Sequence, residues 1–215
     1  MDVLTEAQKR FLKALGQTRL GKEFYLTGGT ALSAFYLHHR YSEDLDFFTD
    51  DPTAVPRAAP ILTDLGNSLK GTVGFRRNLE SFLECFFRFP GGELIEMDFA
   101  LDSPYKLEER QVQAEYQITL DSFNDIAANK LAALFGRAET KDFVDVYTIC
   151  LTKMPFAELL EKARRKHLGI DDYWLAQAMA QAERIESLPH MLIPLDVNML
   201  KNFFRERIRE LMRGK

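Results

Sequence analysis

The sequence predicts an α/β (α+β) chain: a mixed lobe over about residues 1–120, then a helical lobe over 121–215. Three observations point there. Residues 81–100 hold two alternating segments around Pro90-Gly91-Gly92, the pattern of a β-hairpin. Residues 24–39 pass from a short aromatic run through Gly28-Gly29 into helix formers, the pattern of a strand that turns into a helix. After residue 121 the character becomes helical.

The elements follow in order. Val3, Leu4, Phe11, Leu12 and Leu15 have helical spacing, and Gly16 or Gly21 ends that helix. "EFYLT" reads as a strand, broken by Gly28-Gly29, and a helix over "TALSAFYLHH" starts at the glycines. "DLDFF" at 44–48 is the next strand, and 53–69 a helix closed by Gly71. In "SFLECFFRF", Leu83, Cys85, Phe87 and Phe89 share one face. In "ELIEMDFA", Leu94, Glu96 and Asp98 share one face, and Ile95, Met97 and Phe99 the other. A short strand follows at 116–120. Ser122 with Asp125 resembles a capping box ahead of "NDIAANKLAALFGRA". Further helices fit the stretch from Thr140, the run between Pro155 and Gly169, 172–186, and 197–213 behind Asp196.

Composition bounds the function. Of 215 residues, 46% are apolar and 28% charged, ordinary for a globular chain. No run of 18 apolar residues predicts a membrane helix, and an N-terminus with acids does not read as a signal peptide. The chain is therefore expected in the cytoplasm, with no membrane partner. A net charge of −4 does not predict nucleic-acid binding by bulk charge, although basic residues cluster at 161–169 and 201–215. Those clusters read as solvated helix faces or as a local surface for a phosphate backbone. Two cysteines and four histidines show no zinc-ligand spacing, and His38-His39 read as a helix-surface pair.

The candidate chemistry lies in carboxylates and glycines. On a strand, Asp44 and Asp46 point to one side with Cα atoms roughly 6.5–7 Å apart. Such a pair suits a hard cation such as Mg²⁺, held by a few carboxylates and substrate phosphates; otherwise one Asp caps the next element. Asp98 sits in a strand interior, where Asp is disfavoured, and Glu96 shares its face. Either can supply a third carboxylate to a two-metal arrangement. Gly28, Gly29 and Thr30 stand where a helix begins, so backbone N–H groups and a hydroxyl can meet phosphate. The alternative is an ordinary tight turn. No Walker lysine follows, and G-x-G-x-x-G is absent. Lys130 and Arg137 share a helix face, as do Asp142 and Asp145. They read either as cleft cations with orienting acids or as an interhelical ion-pair set without a ligand.

Four segments in this order carry a resemblance: "LTGGTAL", "HHRYSEDLDFF", "LIEMDFA" and "DIAANKLAALFGRAETKDFVDVYTI". From about Phe24 to Ile149 the chain resembles the AbiEii/AbiGii-type nucleotidyltransferases, toxins of type IV toxin–antitoxin and abortive-infection systems within the polymerase-β-like nucleotidyltransferase superfamily. The resemblance implies that Gly28, Gly29 and Thr30 hold the triphosphate. It implies that Asp44 and Asp46 bind metal and that Asp98, rather than Glu96, is the third carboxylate. Lys130 matches a phosphate-contacting lysine, and Asp142 or Asp145 a later aspartate. Arg40, Ser42 and Arg137 complete the pattern as substrate contacts or loop braces.

The implied activity is Mg²⁺- or Mn²⁺-dependent transfer of a nucleoside monophosphate from a nucleoside triphosphate to an acceptor hydroxyl, with pyrophosphate released. The acceptor is an RNA (tRNA) end, a protein or a small molecule, and an antitoxin is an implied partner. The competing readings are a nucleotide-binding module without transfer and a metal-dependent phosphohydrolase.

Overall fold

The computed structural model describes residues 2–213. They form two compact units. The first comprises the chain up to Tyr36 together with Ser42–Ser122; the second comprises Leu37–Tyr41 and the chain from Phe123 onward. In sequence the units part between Ser122 and Phe123, and the five residues Leu37–Tyr41 group with the helices.

The first unit is built on a seven-stranded mixed sheet. Its helices are α1 (Glu6–Gly16), α2 (Leu20–Glu23), α3 (Gly28–Ala31) and α4 (Ala54–Ser68). Its strands are β1 (Tyr25–Thr27), β2 (Leu45–Thr49), β3 (Thr72–Asn78), β4 (Phe82–Arg88), β5 (Leu94–Leu101), β6 (Gln111–Gln113) and β7 (Ile118–Leu120). The strand order is β3-β4-β5-β2-β1-β7-β6. The β2–β5 and β1–β7 pairs are parallel and the others antiparallel.

Alternation decides the two faces of this sheet. Leu26, Phe47, Phe99 and Leu83 are register partners across β1, β2, β5 and β4, and all four are buried. Phe47 stacks on Phe99 at 4.9 Å between ring centroids, and Phe24 meets Phe99 edge-on at 5.1 Å. Helices α1 and α4 cover the sheet with Phe11, Leu12, Leu15, Ala58 and Leu62. Since each such side chain removes apolar surface worth about 1.5–3 kcal/mol, a one-residue slip in any central strand would expose the whole set. Register is therefore fixed, and with it the residues on the opposite face.

α1 begins with a reciprocal capping box, Thr5 with Gln8. Gln8 also donates its side-chain amide to the Ser42 and Glu43 carbonyls, which ties the segment before β2 to α1. The helix expected after the glycines is present with a change of winding: four α residues are followed by a π-helical stretch over Leu32–Leu37.

The second unit holds α5 (Phe123–Arg137), α6 (Thr140–Thr152), α7 (Phe156–Lys166), α8 (Asp172–Ala180), a 3₁₀ turn at Gln181–Arg184, and α9 (Val197–Arg213). α5 packs on α6, α7 and α8, while α9 packs on α6 and α8. Asp196 caps α9 by accepting from the Asn198 and Met199 N–H groups. The segment Leu37–Tyr41 joins this unit by main-chain bonds: Tyr41 N–H donates to His190 O, and Leu192 N–H to His39 O.

Candidate active site

The two features of the 28–46 stretch meet in space. Gly28 adopts φ +71, in the left-handed region that favours glycine. A methyl built on its Cα would lie 1.8 Å from Asp46 Oδ2 and 2.6 Å from Asp46 Cγ. The glycine backbone therefore lies directly against the Asp46 carboxylate, and both backbone angle and space require glycine there.

Asp46 stands in a row. Glu84, Asp98, Asp46 and Thr27 are successive register partners on β4, β5, β2 and β1. The hairpin alternation puts Asp98 on this polar face, and the parallel β2–β5 pairing sets it beside Asp46. Asp98 is half-buried, and among the described residues no cation lies within ion-pair distance of it. Burial first, then the charges of Asp46, Glu84, Asp44 and Glu96, push its carboxyl up to about 6. Glu96 differs: Arg76 Nη2 donates to its carboxylate. Glu96 and Asp98 thus differ in their neighbours. Glu96 has a guanidinium, and Asp98 has only like charges.

Asp44 lies one residue ahead of β2 and is exposed. Thr30 is fully buried, and its hydroxyl donates to the Asp44 carbonyl. In this structure that hydroxyl braces the segment carrying the aspartates. Thr27 is likewise engaged, donating to Asp121 Oδ2 at 2.8 Å, and Tyr36 OH donates to Asp121 O at 2.7 Å. These contacts hold the glycine turn between β1 and the end of β7.

The remaining residues form a second cluster, inside the helical unit. Asp145 is fully buried and takes Arg40 in a two-pronged pair, Nε at 2.7 Å and Nη2 at 2.8 Å. His39 Nε2 lies 2.7 Å from the same carboxylate, and Lys130 Nζ 2.8 Å. Burial alone would raise this carboxyl; Lys130, Arg40 and His39 outweigh it and hold it well below the usual carboxylate range. Asp142, also fully buried, accepts from Arg137 Nε at 2.8 Å and Nη2 at 2.9 Å, with Lys130 Nζ 3.9 Å away. Lys130, Arg40 and Arg137 therefore each have a carboxylate within the unit. The reading of His38-His39 as a helix-surface pair is corrected: the helix ends at Leu37, His38 turns outward at φ 52, and His39 is buried against Asp145.

The structure brings Gly28, Asp46 and Asp98 together with Asp44 near them, and it brings Arg40, Lys130, Arg137, Asp142 and Asp145 together separately. Sequence reasoning missed β3, whose Arg76 and Arg77 meet Glu84 and Glu96. Its only sequence signal is an Arg-Arg pair in a stretch with little apolar alternation.

A divalent cation fits the first set on donor chemistry. Asp46 and Asp98 offer hard oxygen donors as ladder neighbours, and burial together with the neighbouring carboxylates raises the carboxyl of Asp98. Among the described residues no three His, Cys, Asp or Glu side chains already form a metal-holding set. Mg²⁺ is usually held by one or two carboxylates together with water and substrate phosphates, so two adjacent aspartates suit it.

Comparison with known proteins decides the family. The sequence profile described as "Nucleotidyl transferase AbiEii toxin, Type IV TA system" matches residues 10–213. The chain belongs to this family. AbiEii proteins are nucleotidyl transferases and toxins of toxin–antitoxin systems by that description. An uncharacterized protein of Aquifex aeolicus (strain VF5) is 24% identical over 220 residues, covering 99% of both chains. A crystal structure of a candidate nucleotidyltransferase from H. pylori shares the fold with a TM-score of 0.60 at 16% identity, covering 99% of both chains. The nucleotidyltransferase toxin MenT4 of Mycobacterium tuberculosis H37Rv matches with a TM-score of 0.57 at 17% identity, over 96% of this chain and 82% of its own. The mixed sheet with flanking helices is thus the AbiEii nucleotidyltransferase fold. Among the described residues no helix is long and apolar enough to cross a membrane.

Proposed function

We propose that the polar face of the sheet is a nucleotidyl-transfer site, acting on a nucleoside triphosphate and an acceptor hydroxyl. One observation carries this reading: the Gly28 backbone lies against Asp46, and Asp46 is the ladder neighbour of Asp98. A phosphate-approach turn and an acidic pair thereby share one place, as in-line transfer requires.

The geometry supports the following roles. Gly28 lets the backbone come close, and the ten-residue helical stretch from Gly28 to Leu37 begins there. The first N–H groups of a helix have no partner within it and suit phosphate oxygens. Asp46 and Asp98, with Asp44 beside them, would hold Mg²⁺ or Mn²⁺. When bound, that ion would polarise the α-phosphate and neutralise the leaving pyrophosphate. Asp98 accepts the proton of the acceptor hydroxyl. The acceptor oxygen then bonds to the α-phosphorus as the bond to the β-phosphate bridging oxygen breaks. Thr30 and Ser42 hold the aspartate-bearing segment, through the Asp44 and Ser42 carbonyls respectively. Arg40, Lys130, Arg137, Asp142 and Asp145 act as an internal ion-pair set that keeps the helical unit and the Leu37–Tyr41 segment in shape.

Membership in a type IV toxin family supports an antitoxin as the biological counterpart. The test is incubation of the purified chain with Mg²⁺, each nucleoside triphosphate in turn and a cell extract. Label at the α-phosphate is expected to enter a macromolecule or small acceptor while label at the γ-phosphate leaves as pyrophosphate. Release of γ-label as orthophosphate alone would indicate hydrolysis and overturn the reading.

A further inference from the structure

β3 is an edge strand, and two arginines stand at an irregularity within it. Its register against β4 steps from Phe75–Cys85 to Arg77–Glu84, so Arg76 and Arg77 together face Glu84. A bulge of this kind sets two residues against one and re-aims their side chains. Arg77 Nε lies 3.2 Å from one Glu84 oxygen and Arg76 Nη1 3.5 Å from the other. Arg76 extends across the ring of Phe86 to Glu96 on the next strand. Glu84 is the ladder partner of Asp98, and Glu96 precedes Asp98 by two residues on the same face of β5.

Neighbouring strands lie about 4.8 Å apart, and Glu is one methylene longer than Asp. An unrestrained Glu84 would reach a cation held by Asp98. Each added carboxylate occupies a coordination position that Mg²⁺ otherwise offers to water or phosphate. The arginines draw both glutamates toward the sheet edge, away from the Asp46 side of the row.

We propose that Arg76 and Arg77 are positioning residues that hold Glu84 and Glu96 off the Asp98–Asp46 pair and so keep cation positions open for substrate phosphates. This rests on the reading of that pair as a cation site. The bulge at a sheet edge then has a purpose beyond protecting the edge: it delivers two guanidinium groups to one ladder position.

The test is calorimetric titration of the nucleotide-free, full-length chain with Mn²⁺. The Arg76→Gln/Arg77→Gln variant is expected to bind Mn²⁺ about tenfold more tightly than wild type, because ligand charge count tunes affinity. Adding Glu84→Asp and Glu96→Asp to that variant keeps the charge, shortens both arms and removes the gain. Glu84→Gln alone shifts wild-type affinity by less than about threefold, since Glu84 is not a ligand there. Unchanged or weaker binding in the double-arginine variant overturns the proposal. So does a gain that survives the shortened arms, which would be an effect of net charge alone. Wild-type binding that is lost in Asp46→Asn while the arginine variant shows no gain refutes only the role of the arginines. Wild-type protein that binds no Mn²⁺ refutes the cation reading and this inference together.

Discussion

Replacing Gly28 by Ala separates the cost of a backbone angle from the cost of moving Asp46. The residue sits at φ +71, where an L side chain costs about 1–2 kcal/mol. For a chain of this size each kcal/mol lowers Tm by about 2–4 °C. The new methyl would also lie 1.8 Å from Asp46 Oδ2. Since such contacts settle at about 3.5–4.0 Å, the carboxylate must withdraw by roughly 1.7–2.2 Å. A displacement of about 1 Å at a reacting centre costs about 100-fold in rate. Gly92→Ala is the matched control: Gly92 also has positive φ, at +94, and its methyl would meet nothing within 4 Å. Gly92→Ala is expected to lose only the small backbone-angle cost in thermal stability, and Gly28→Ala that cost plus the cost of moving Asp46. Only Gly28→Ala should lose transfer, by about 100-fold or more in kcat. Melting curves and steady-state transfer on the same preparations decide this. A Gly28→Ala enzyme within about threefold of Gly92→Ala would refute the claim that the turn positions Asp46 for catalysis.

Other predictions follow from the same geometry. Asp145→Ala leaves Arg40, Lys130 and His39 around an empty buried position and should cost about 3–5 kcal/mol in urea unfolding. Glu183→Ala, which removes the exposed partner of Arg205, should leave the urea midpoint essentially unchanged, because an exposed ion pair adds little to stability. Thr30→Val keeps the shape but leaves the Asp44 carbonyl without that donor; about 1–3 kcal/mol of stability should be lost, with a fall in kcat exceeding any rise in KM. The pH dependence has two opposed parts. The folded-state pKa of Asp98 is about 6, above its value of 3.8 when unperturbed, so ionising it costs the folded state. Stability of the cation-free protein should rise as pH falls from about 7 toward 4, and Asp98→Asn should abolish that rise in thermal melts. Asp145 is shifted the other way, so its contribution is full above its unperturbed value of 3.8 and is lost as pH falls further.

Much of the candidate site was legible because it depends on alternation. A period of two places Asp46 and Asp98 on the face opposite Phe47 and Phe99, and burial of those phenylalanines fixes the register. The short helix between Gly28 and Asp46 returns the chain to a strand antiparallel to β1, so the glycine turn and the aspartate become neighbours. Other features left no such trace. β3 is largely exposed, so no apolar pattern marks it, although it carries both arginines of the carboxylate row. Lys130 and Asp145 share helix-face signatures with ligand-binding residues, and their contact at 2.8 Å in the interior leaves no trace in the local sequence. The grouping of Leu37–Tyr41 with the helices depends on bonds to residues about 150 positions later, which local sequence does not encode. Finally, Arg76 donates to Glu96 from a strand that no apolar pattern marks.

The central claim is that Gly28, Asp46 and Asp98 form one site that moves a nucleoside monophosphate. The most direct measurement is transfer of α-phosphate label by wild type, Asp46→Asn and Asp98→Asn, each shown to be folded by its melting curve, in the presence of Mg²⁺. Wild type should form a labelled product with release of pyrophosphate, and both variants should fall by at least about 100-fold. Transfer that persists near the wild-type rate in either folded variant would contradict the account.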